Sequence, residues 1–136
     1  MPFTGPLQDR ELIRELLDNY CDAVNQRDGE AWGKTWAEDG VWQLPHLGMD
    51  GISGREAIVA GWLEAMELFP FVHMMAQAGS IEVDGDRAIM RSYTAEVAVM
   101  QDGTEIRPRG QYDDVCVRRG GQWLFAHRKF SVLHGE

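Results

Sequence analysis

Three short turns rich in glycine constrain the fold of this chain more strongly than any other sequence feature. They are Asp84-Gly85, Asp102-Gly103 and Gly120-Gly121, and each is typical of the connection between two antiparallel strands. They separate four strand-like runs at roughly 71–83, 87–101, 104–119 and 122–133. Pro108 in the third run predicts an edge position or a bulge. The second half of the chain is therefore predicted to form an antiparallel meander.

The first half has helical periodicity instead. From about Asp9 to Gln26, apolar residues recur at intervals of three and four, which predicts an amphipathic helix. A short helix is predicted from Asp28 to about Ala37, a strand over 40–44, a loop over 46–54, and a third helix from a capping box at 53–56 to about Glu67. Residues 1–6 are expected to be a flexible arm, and residues 1–136 a single α+β domain.

The amino-acid composition argues against several classes of binding partner. A net charge of -9 at pH 7 argues against binding to nucleic acid or to an anionic membrane. No apolar run is long enough for a membrane helix, and no secretory signal is evident, so we expect a cytoplasmic protein. The two cysteines and four histidines form no local metal or redox motif, and no nucleotide-binding motif is present. We therefore expect no metal and no cofactor.

The stretch from Phe69 to Met75, which leads into the first strand-like run, places a titratable ring among apolar residues. In a strand, Phe71, His73 and Met75 share one face, and the residues between them share the other. Both faces are apolar, which is typical of a strand buried between layers. From the residues alone, His73 is either a core histidine with satisfied ring nitrogens or a general acid or base that titrates near neutral pH.

The order of several weak motifs resembles the SnoaL-like branch of the nuclear-transport-factor-2-like superfamily. The motifs are Tyr20-Cys-Asp-Ala-Val-Asn-Gln-Arg-Asp28, Trp36-Ala-Glu-Asp-Gly-Val-Trp42, Gly51 to Glu56, His73, Val83-Asp-Gly-Asp-Arg-Ala88 and Tyr112 to Arg128. This branch includes scytalone dehydratase and hexachlorocyclohexane dehydrochlorinase. The resemblance implies an α+β cone, in which a curved antiparallel sheet packs on three N-terminal helices and encloses a cavity.

The resemblance also implies a set of catalytic residues. In the dehydratase and dehydrochlorinase members, a histidine on the first long strand removes a proton, and an aspartate of the first helix orients it. His73 matches that histidine, whereas Asn25 stands where the family has the aspartate. Arg128, with Tyr20, is expected to stabilise negative charge that develops on oxygen. A neutral amide cannot stabilise an imidazolium by charge, so Asn25 is a departure from the family pattern.

Strand alternation, carried over from the same relatives, predicts which side chains face the cavity. Starting from Arg128, it places Leu124, Ala126, Phe130 and Val132 inward, and it places Trp123, Phe125 and His127 on the outer face. The predicted substrate-binding residues are Trp42, Leu68, Phe71, Met75, Thr94, Glu96, Tyr112 and Asp114. An inward Glu96 or Asp114 either supplies the charge that Asn25 lacks or pairs with Arg128 or Arg109.

These expectations define a cofactor-independent lyase, either a dehydratase or another C–O or C–C eliminating enzyme. It acts by acid–base chemistry at His73 on a small aromatic or polycyclic substrate. Two alternatives stay open: an isomerase similar to ketosteroid isomerase, and a non-catalytic ligand-binding or assembly module. The aromatic outer face around His127 predicts a homo-oligomer, either a dimer or a trimer.

Overall fold

The structure is a computed structural model that describes residues 2–135. Its helices are α1 (Leu7–Gln26), α2 (Gly29–Gly33) and α3 (Arg55–Met66), and a 3₁₀ turn spans Pro45–Leu47. Its strands are β1 (Phe3–Thr4), β2 (Trp36–Leu44), β3 (Met49–Ser53), β4 (Phe71–Asp84), β5 (Arg87–Val99), β6 (Glu105–Ile106), β7 (Arg109–Arg119) and β8 (Gln122–His134). None of the described helices is long and apolar enough to cross a membrane.

The strands form one curved sheet that wraps against the helices. Its order is β1-β4-β5-β7-β8-β2-β3, and β6 pairs with β5 beside the main path. The predicted meander is present, and each of its strands pairs with the next. Two pairings are parallel, β1 with β4 and β2 with β8, so the sheet is mixed. The α+β cone predicted from the sequence is thereby confirmed.

Several element boundaries differ from the sequence expectations. The strand β2 begins at Trp36, so the second helix is shorter than predicted, and the loop over 46–54 contains β3. Phe3 and Thr4 pair with Ile81 and Glu82, so the expected flexible arm contributes a strand. The predicted capping box does not form, because α3 begins after Gly54 and has no side-chain cap. The predicted third strand is interrupted near Pro108, which lies between β6 and β7.

A bulge in β8 reverses the predicted orientation of half of that strand. His127 pairs with Val115, whereas Phe125 pairs with Cys116, so Ala126 is the extra residue. Phe125 and Trp123 are consequently buried, and the prediction that they lie on the outer face beside His127 is wrong. Leu124 and Ala126 are not in the cavity wall, whereas Arg128 and Phe130 are buried as predicted.

Tryptophans of the first half of the chain fill the space between the helices and the sheet. The rings of Trp32 and Trp62 stack with centroids 4.7 Å apart, and Trp32 meets Trp42 at 5.4 Å. Directly after the C-terminal end of α1, the guanidinium of Arg27 donates hydrogen bonds to the carbonyls of Met66 and Phe69, at 2.6 and 2.8 Å. These contacts fix the distance between α1, α3 and the sheet, and they leave a cavity at the open end of the cone.

Close packing between β7 and β8 gives a first testable prediction. A methyl group at Gly110 would overlap the ring of Phe130, which is itself buried, and would lie 2.7 Å from Thr94 Oγ1. We expect Gly110→Ala to lower the free energy of unfolding by about 1–3 kcal/mol, because the ring of Phe130 must leave its packed position to make room for the methyl group. Urea unfolding measures this value.

The control is Gly51→Ala in β3, where the added methyl would lie at ordinary contact distance, 3.4 Å from Val41. Equal stability losses in the two variants would contradict the steric explanation.

Candidate active site

The cavity at the open end of the cone has a volume of about 430 Å³. Every layer of the fold contributes to its wall, and most of the wall is apolar. The lining residues are Tyr20, Val24, Trp42, His46, Leu47, Trp62, Met66, Phe69, Val72, Met74, Glu96, Ala98, Ile106, Pro108, Tyr112, Phe130 and Val132. A largely apolar cavity of this size with a few converging polar groups is the usual form of a small-molecule site.

A larger depression, of about 810 Å³, lies between α1, α2 and the turn before β8. Several of its polar residues already have structural roles. Asp28 accepts a hydrogen bond from the backbone of Ala31 at 3.0 Å, and Arg55 donates to the carbonyl of Trp36 at 2.9 Å. Lys34 pairs with Glu30 at 3.5 Å. We therefore place the candidate site in the smaller, apolar cavity.

Glu96 is the acidic residue of the cavity wall. It lies on β5 opposite Met74 of β4, and directly paired residues of two antiparallel strands point to the same face. Among residues 2–135, its carboxyl group makes no hydrogen bond and no ion pair. Burial raises the pKa of this carboxyl group above its ordinary value. A carboxyl group in this environment exchanges a proton more readily near neutral pH than an exposed one does.

Two tyrosines form the polar part of the cavity floor. The indole nitrogen of Trp42 donates a hydrogen bond to the hydroxyl oxygen of Tyr112 at 3.2 Å. Burial raises the pKa of both hydroxyl groups. Because an indole nitrogen can only donate, the hydroxyl oxygen of Tyr112 accepts from Trp42, and the hydroxyl group keeps its own hydrogen for donation. The cavity wall therefore contains a hydroxyl group that can donate a hydrogen bond to a ligand.

Arg128 and Asp114 form an ion pair beneath this floor, and both side chains are fully buried. Arg128 donates from Nε and Nη2 to the two carboxylate oxygens of Asp114, at 2.7 and 3.1 Å, and from Nη2 to Ser92 at 3.4 Å. Its guanidinium carbon lies 3.6 Å from the ring centre of Tyr112 and 4.5 Å from that of Tyr20. Burial lowers the pKa of Arg128, but the carboxylate of Asp114 together with the hydroxyl groups of Tyr20 and Tyr112 outweighs this effect, and the net direction is upward.

Asn25 is bonded to the backbone of β4. Its amide nitrogen donates to the carbonyl of Met74 at 2.9 Å, and its amide oxygen accepts from the N–H of Met74 at 2.7 Å. β1 covers the same edge of β4 only at Ile81 and Glu82, so no strand of the described residues pairs with this edge at Met74. Asn25 therefore takes the place of a strand there and joins α1 to β4. It does not hold the imidazole of His73, as the resemblance implied.

The expectation that His73 faces the cavity is wrong. Its side chain is exposed and does not line the cavity, and its register partner is Val97 on the outer face. The neighbouring Val72 and Met74 line the cavity instead. Because both faces of this stretch are apolar, the sequence pattern did not determine which face is inward.

Other residues that were predicted to line the cavity are also exposed. Phe71 and Met75 lie on the outer face and are 51% and 63% exposed, and Leu68, in the turn before β4, is 60% exposed. Four of the predicted catalytic and substrate-binding residues do line the cavity, namely Tyr20, Trp42, Glu96 and Tyr112. Phe130 and Val132, which strand alternation placed inward, line it as well. Thr94, Asp114 and Arg128 point inward but lie outside the cavity lining.

The prediction missed several lining residues that no local pattern identifies. His46 lies in the 3₁₀ turn at the mouth, with its ring 5.2 Å from that of Phe130. Trp62 and Met66 of α3 also line the cavity, although their spacing of four residues indicates only that they share one face of the helix. Among the described residues, no group of three or more histidines, cysteines or carboxylates could hold a metal ion.

The cone, its mixed sheet and the cavity between helices and sheet define the nuclear-transport-factor-2-like class of fold. The sequence model of the SnoaL-like domain matches residues 5–129, so the chain belongs to the SnoaL-like domain family. That family includes enzymes as well as members without catalytic activity. No curated protein sequence is significantly similar to this chain.

Solved structures with the same fold come from several bacteria. One, of a protein of unknown function from Mycobacterium tuberculosis, is 26% identical over 93% of this chain and 77% of its own, with a TM-score of 0.81. Another, provisionally named a scytalone dehydratase, is from Novosphingobium aromaticivorans, with 20% identity, 96% and 87% coverage, and a TM-score of 0.85. A hexachlorocyclohexane dehydrochlorinase of Novosphingobium barchaimii has 18% identity, 96% and 90% coverage, and a TM-score of 0.81.

The paired hydrogen bonds of Asn25 give a second prediction. In Asn25→Asp the carboxylate can still accept from the N–H of Met74, but the carbonyl of Met74 loses its donor. We expect the free energy of unfolding at pH 7 to fall by about 1–3 kcal/mol. The loss should shrink in acid, because a protonated aspartic acid can again donate. Urea unfolding at several pH values measures both effects.

The matched control is Asn19→Asp on the exposed side of the same helix, which introduces the same charge. A similar loss in this control would show that the charge on α1, and not the bond to β4, is responsible.

The buried ion pair gives a third prediction. Asp114→Ala leaves the guanidinium of Arg128 without its carboxylate in the interior, and we expect a loss of about 3–5 kcal/mol in the free energy of unfolding. The double variant Asp114→Leu/Arg128→Met removes both charges and should lose less than Asp114→Ala alone. Denaturant unfolding of both proteins tests this order, and a more stable single variant would contradict it.

Proposed function

We propose that this protein is an acid–base enzyme, a lyase or an isomerase, and that Glu96 exchanges a proton with a small ring compound in the central cavity. One observation carries the proposal. The carboxyl group of Glu96 lies on an apolar wall without a hydrogen bond or an ion pair to any described residue, and burial raises its pKa. A carboxyl group with only a structural role would be expected to have a partner. Glu96 thus replaces His73 as the candidate for proton transfer.

The arrangement suits a reaction that passes through an enolate. The carboxylate of Glu96 takes a proton from a carbon atom next to a carbonyl group, and the electron pair of the broken C–H bond moves towards the carbonyl oxygen. The hydroxyl of Tyr112 donates a hydrogen bond to that oxygen while its negative charge develops. Loss of a leaving group from the neighbouring carbon completes an elimination. Return of the proton from Glu96 to a different carbon completes an isomerisation.

The aromatic side chains of the cavity wall indicate the class of substrate. The rings of Tyr20, Trp42, Trp62, Phe69, Tyr112 and Phe130 surround the cavity. Such walls favour a flat, largely apolar molecule, and we propose an aromatic or alicyclic compound. Two of the similar structures are named as a dehydratase and a dehydrochlorinase, which are eliminating enzymes. Their names support elimination as the first reaction to test.

A non-catalytic binding or assembly module is the second candidate, and one observation favours it. The histidine expected to be catalytic lies outside the cavity, and the side chain of Asn25 is engaged with the backbone. The outer face of the sheet exposes Phe71, Met75, Tyr93 and Leu133, which supports the proposal of a homo-oligomer under either function.

Proton exchange tests the proposal without knowledge of the natural substrate. We expect the wild-type protein to accelerate exchange of the α-protons of 2-tetralone with deuterium oxide, followed by proton NMR. Glu96→Gln should reduce the enzymatic rate by about 10²–10⁴-fold, because the amide cannot take the proton. The wild-type rate should fall on acidification at a pH above the ordinary titration range of a glutamate, since the carboxylate is the active form.

Three comparisons make the outcome specific. His73→Ala and Glu82→Gln should both retain the wild-type rate, because His73 and Glu82 are exposed residues of β4. Glu96→Gln should be at least as stable as the wild type at pH 7, since the folded state raises the pKa of Glu96 and so becomes less stable as pH rises through it. Binding of the ketone without proton exchange would favour the binding module. Loss of exchange in His73→Ala would indicate that His73, as predicted from the sequence, transfers the proton.

A further inference from the structure

The charges around the cavity are unevenly placed. Among the described residues, no lysine or arginine lines the wall, and Glu96 is the acidic residue in it. Glu96 acts electrostatically on Tyr20 and Cys21 of α1 and on Tyr112 of β7, and in each case it raises the pKa. His46 is exposed at the mouth. An anionic group deep in the cavity would therefore meet a carboxyl group and no basic side chain.

Arg128 is near, but its charge is not available to a ligand in this arrangement. Its Nε and Nη2 atoms are bonded to Asp114, and the aromatic rings of Tyr20, Tyr112 and Phe125 lie within 4.5 Å of its guanidinium carbon. Its Nη1 atom has no hydrogen-bond partner among the described residues, but it is buried and the residue does not line the cavity. The positive charge thus lies behind the floor.

The same arginine argues against a cationic ligand. Aromatic rings attract cations through their electron-rich faces, and the rings of Tyr20 and Tyr112 already interact with the guanidinium of Arg128. A ligand ammonium group on the cavity side of these rings would have to share the ring electrons that the guanidinium already attracts. An uncharged ligand meets neither obstacle, and the donating hydroxyl of Tyr112 can bind its oxygen.

We propose that the cavity selects an uncharged ligand with a carbonyl or ether oxygen, and that Glu96 excludes carboxylates and other anions. This inference deepens the proposed function and rests on it for the choice of cavity. It adds a second role for Glu96, as a specificity-determining residue, and it assigns Tyr112 to the ligand oxygen. Rejection by an unfavourable charge is a common way to obtain specificity.

Three naphthalene compounds of similar shape test the proposal: 2-acetylnaphthalene, 2-naphthoate and 1-(2-naphthyl)ethylammonium. Isothermal titration calorimetry at about pH 8, where an ordinary imidazole is neutral, gives the dissociation constants. We expect the wild-type protein to bind the ketone at least about tenfold more tightly than either ion. In Glu96→Gln the naphthoate should gain about tenfold or more, whereas the affinity for the ketone should change by less than about threefold.

Two further variants locate the effect. Tyr112→Phe should weaken binding of the ketone by about 2- to 12-fold through loss of the donated hydrogen bond. Glu82→Gln changes the net charge by the same amount outside the cavity and should leave the order of affinities unchanged. The wild-type order tests the inference even if a cavity variant does not fold.

Other outcomes would overturn the inference. Tightest binding of the naphthoate would indicate an anion site that reaches Arg128, and tightest binding of the ammonium compound would indicate a cation site at Glu96. Failure of all three to bind would show that the cavity does not admit such ligands. Preferential binding of the ketone without α-proton exchange of 2-tetralone would leave charge selection intact and remove only the catalytic proposal.

Discussion

Arg128 and Asp114 form an ion pair that is completely removed from solvent, and the interior is organised around it. They are direct partners across β7 and β8, and the next pair on the same face of the ladder joins Tyr112 to Phe130. Charges without access to water must be paired and hydrogen-bonded, because their desolvation is costly. The two carboxylate oxygens, Ser92 and the surrounding rings meet most of this requirement. The ion pair and the groups around it hold Tyr20 and Tyr112 in position at the cavity floor.

This layer also determines the electrostatics of the cavity. Because Asp114 compensates Arg128 below the floor, the carboxyl group of Glu96 has no basic partner above it within residues 2–135. A buried acid without a partner reduces the stability of the folded state at neutral pH. Proteins commonly accept such a cost where the group has a function. The uneven distribution of partners between two inward carboxylates, Asp114 and Glu96, is the main physical reason to assign them different roles.

The sequence predicted the architecture and part of the site for identifiable reasons. The hairpin turns define the order of β4, β5, β7 and β8, and regular alternation then places Glu96 and Tyr112 inward. The two parallel pairings join segments far apart in the chain, and no local pattern indicates them. The bulge at Ala126 shifts the alternation within β8 without a glycine or proline to mark it. For β4, similar apolarity on both faces left the side of His73 undetermined, and family resemblance selected the wrong one.

The cavity wall is a composite of side chains from α1, α3, the 3₁₀ turn and strands β2, β4, β5, β6, β7 and β8. A ligand bound in this cavity would contact all of these elements at once, and it would therefore bind the folded chain in preference to the unfolded one. The resulting gain in the free energy of unfolding would grow with the ligand concentration relative to the dissociation constant. Such a ligand would oppose every unfolding event that separates these elements, including events that begin far from the cavity.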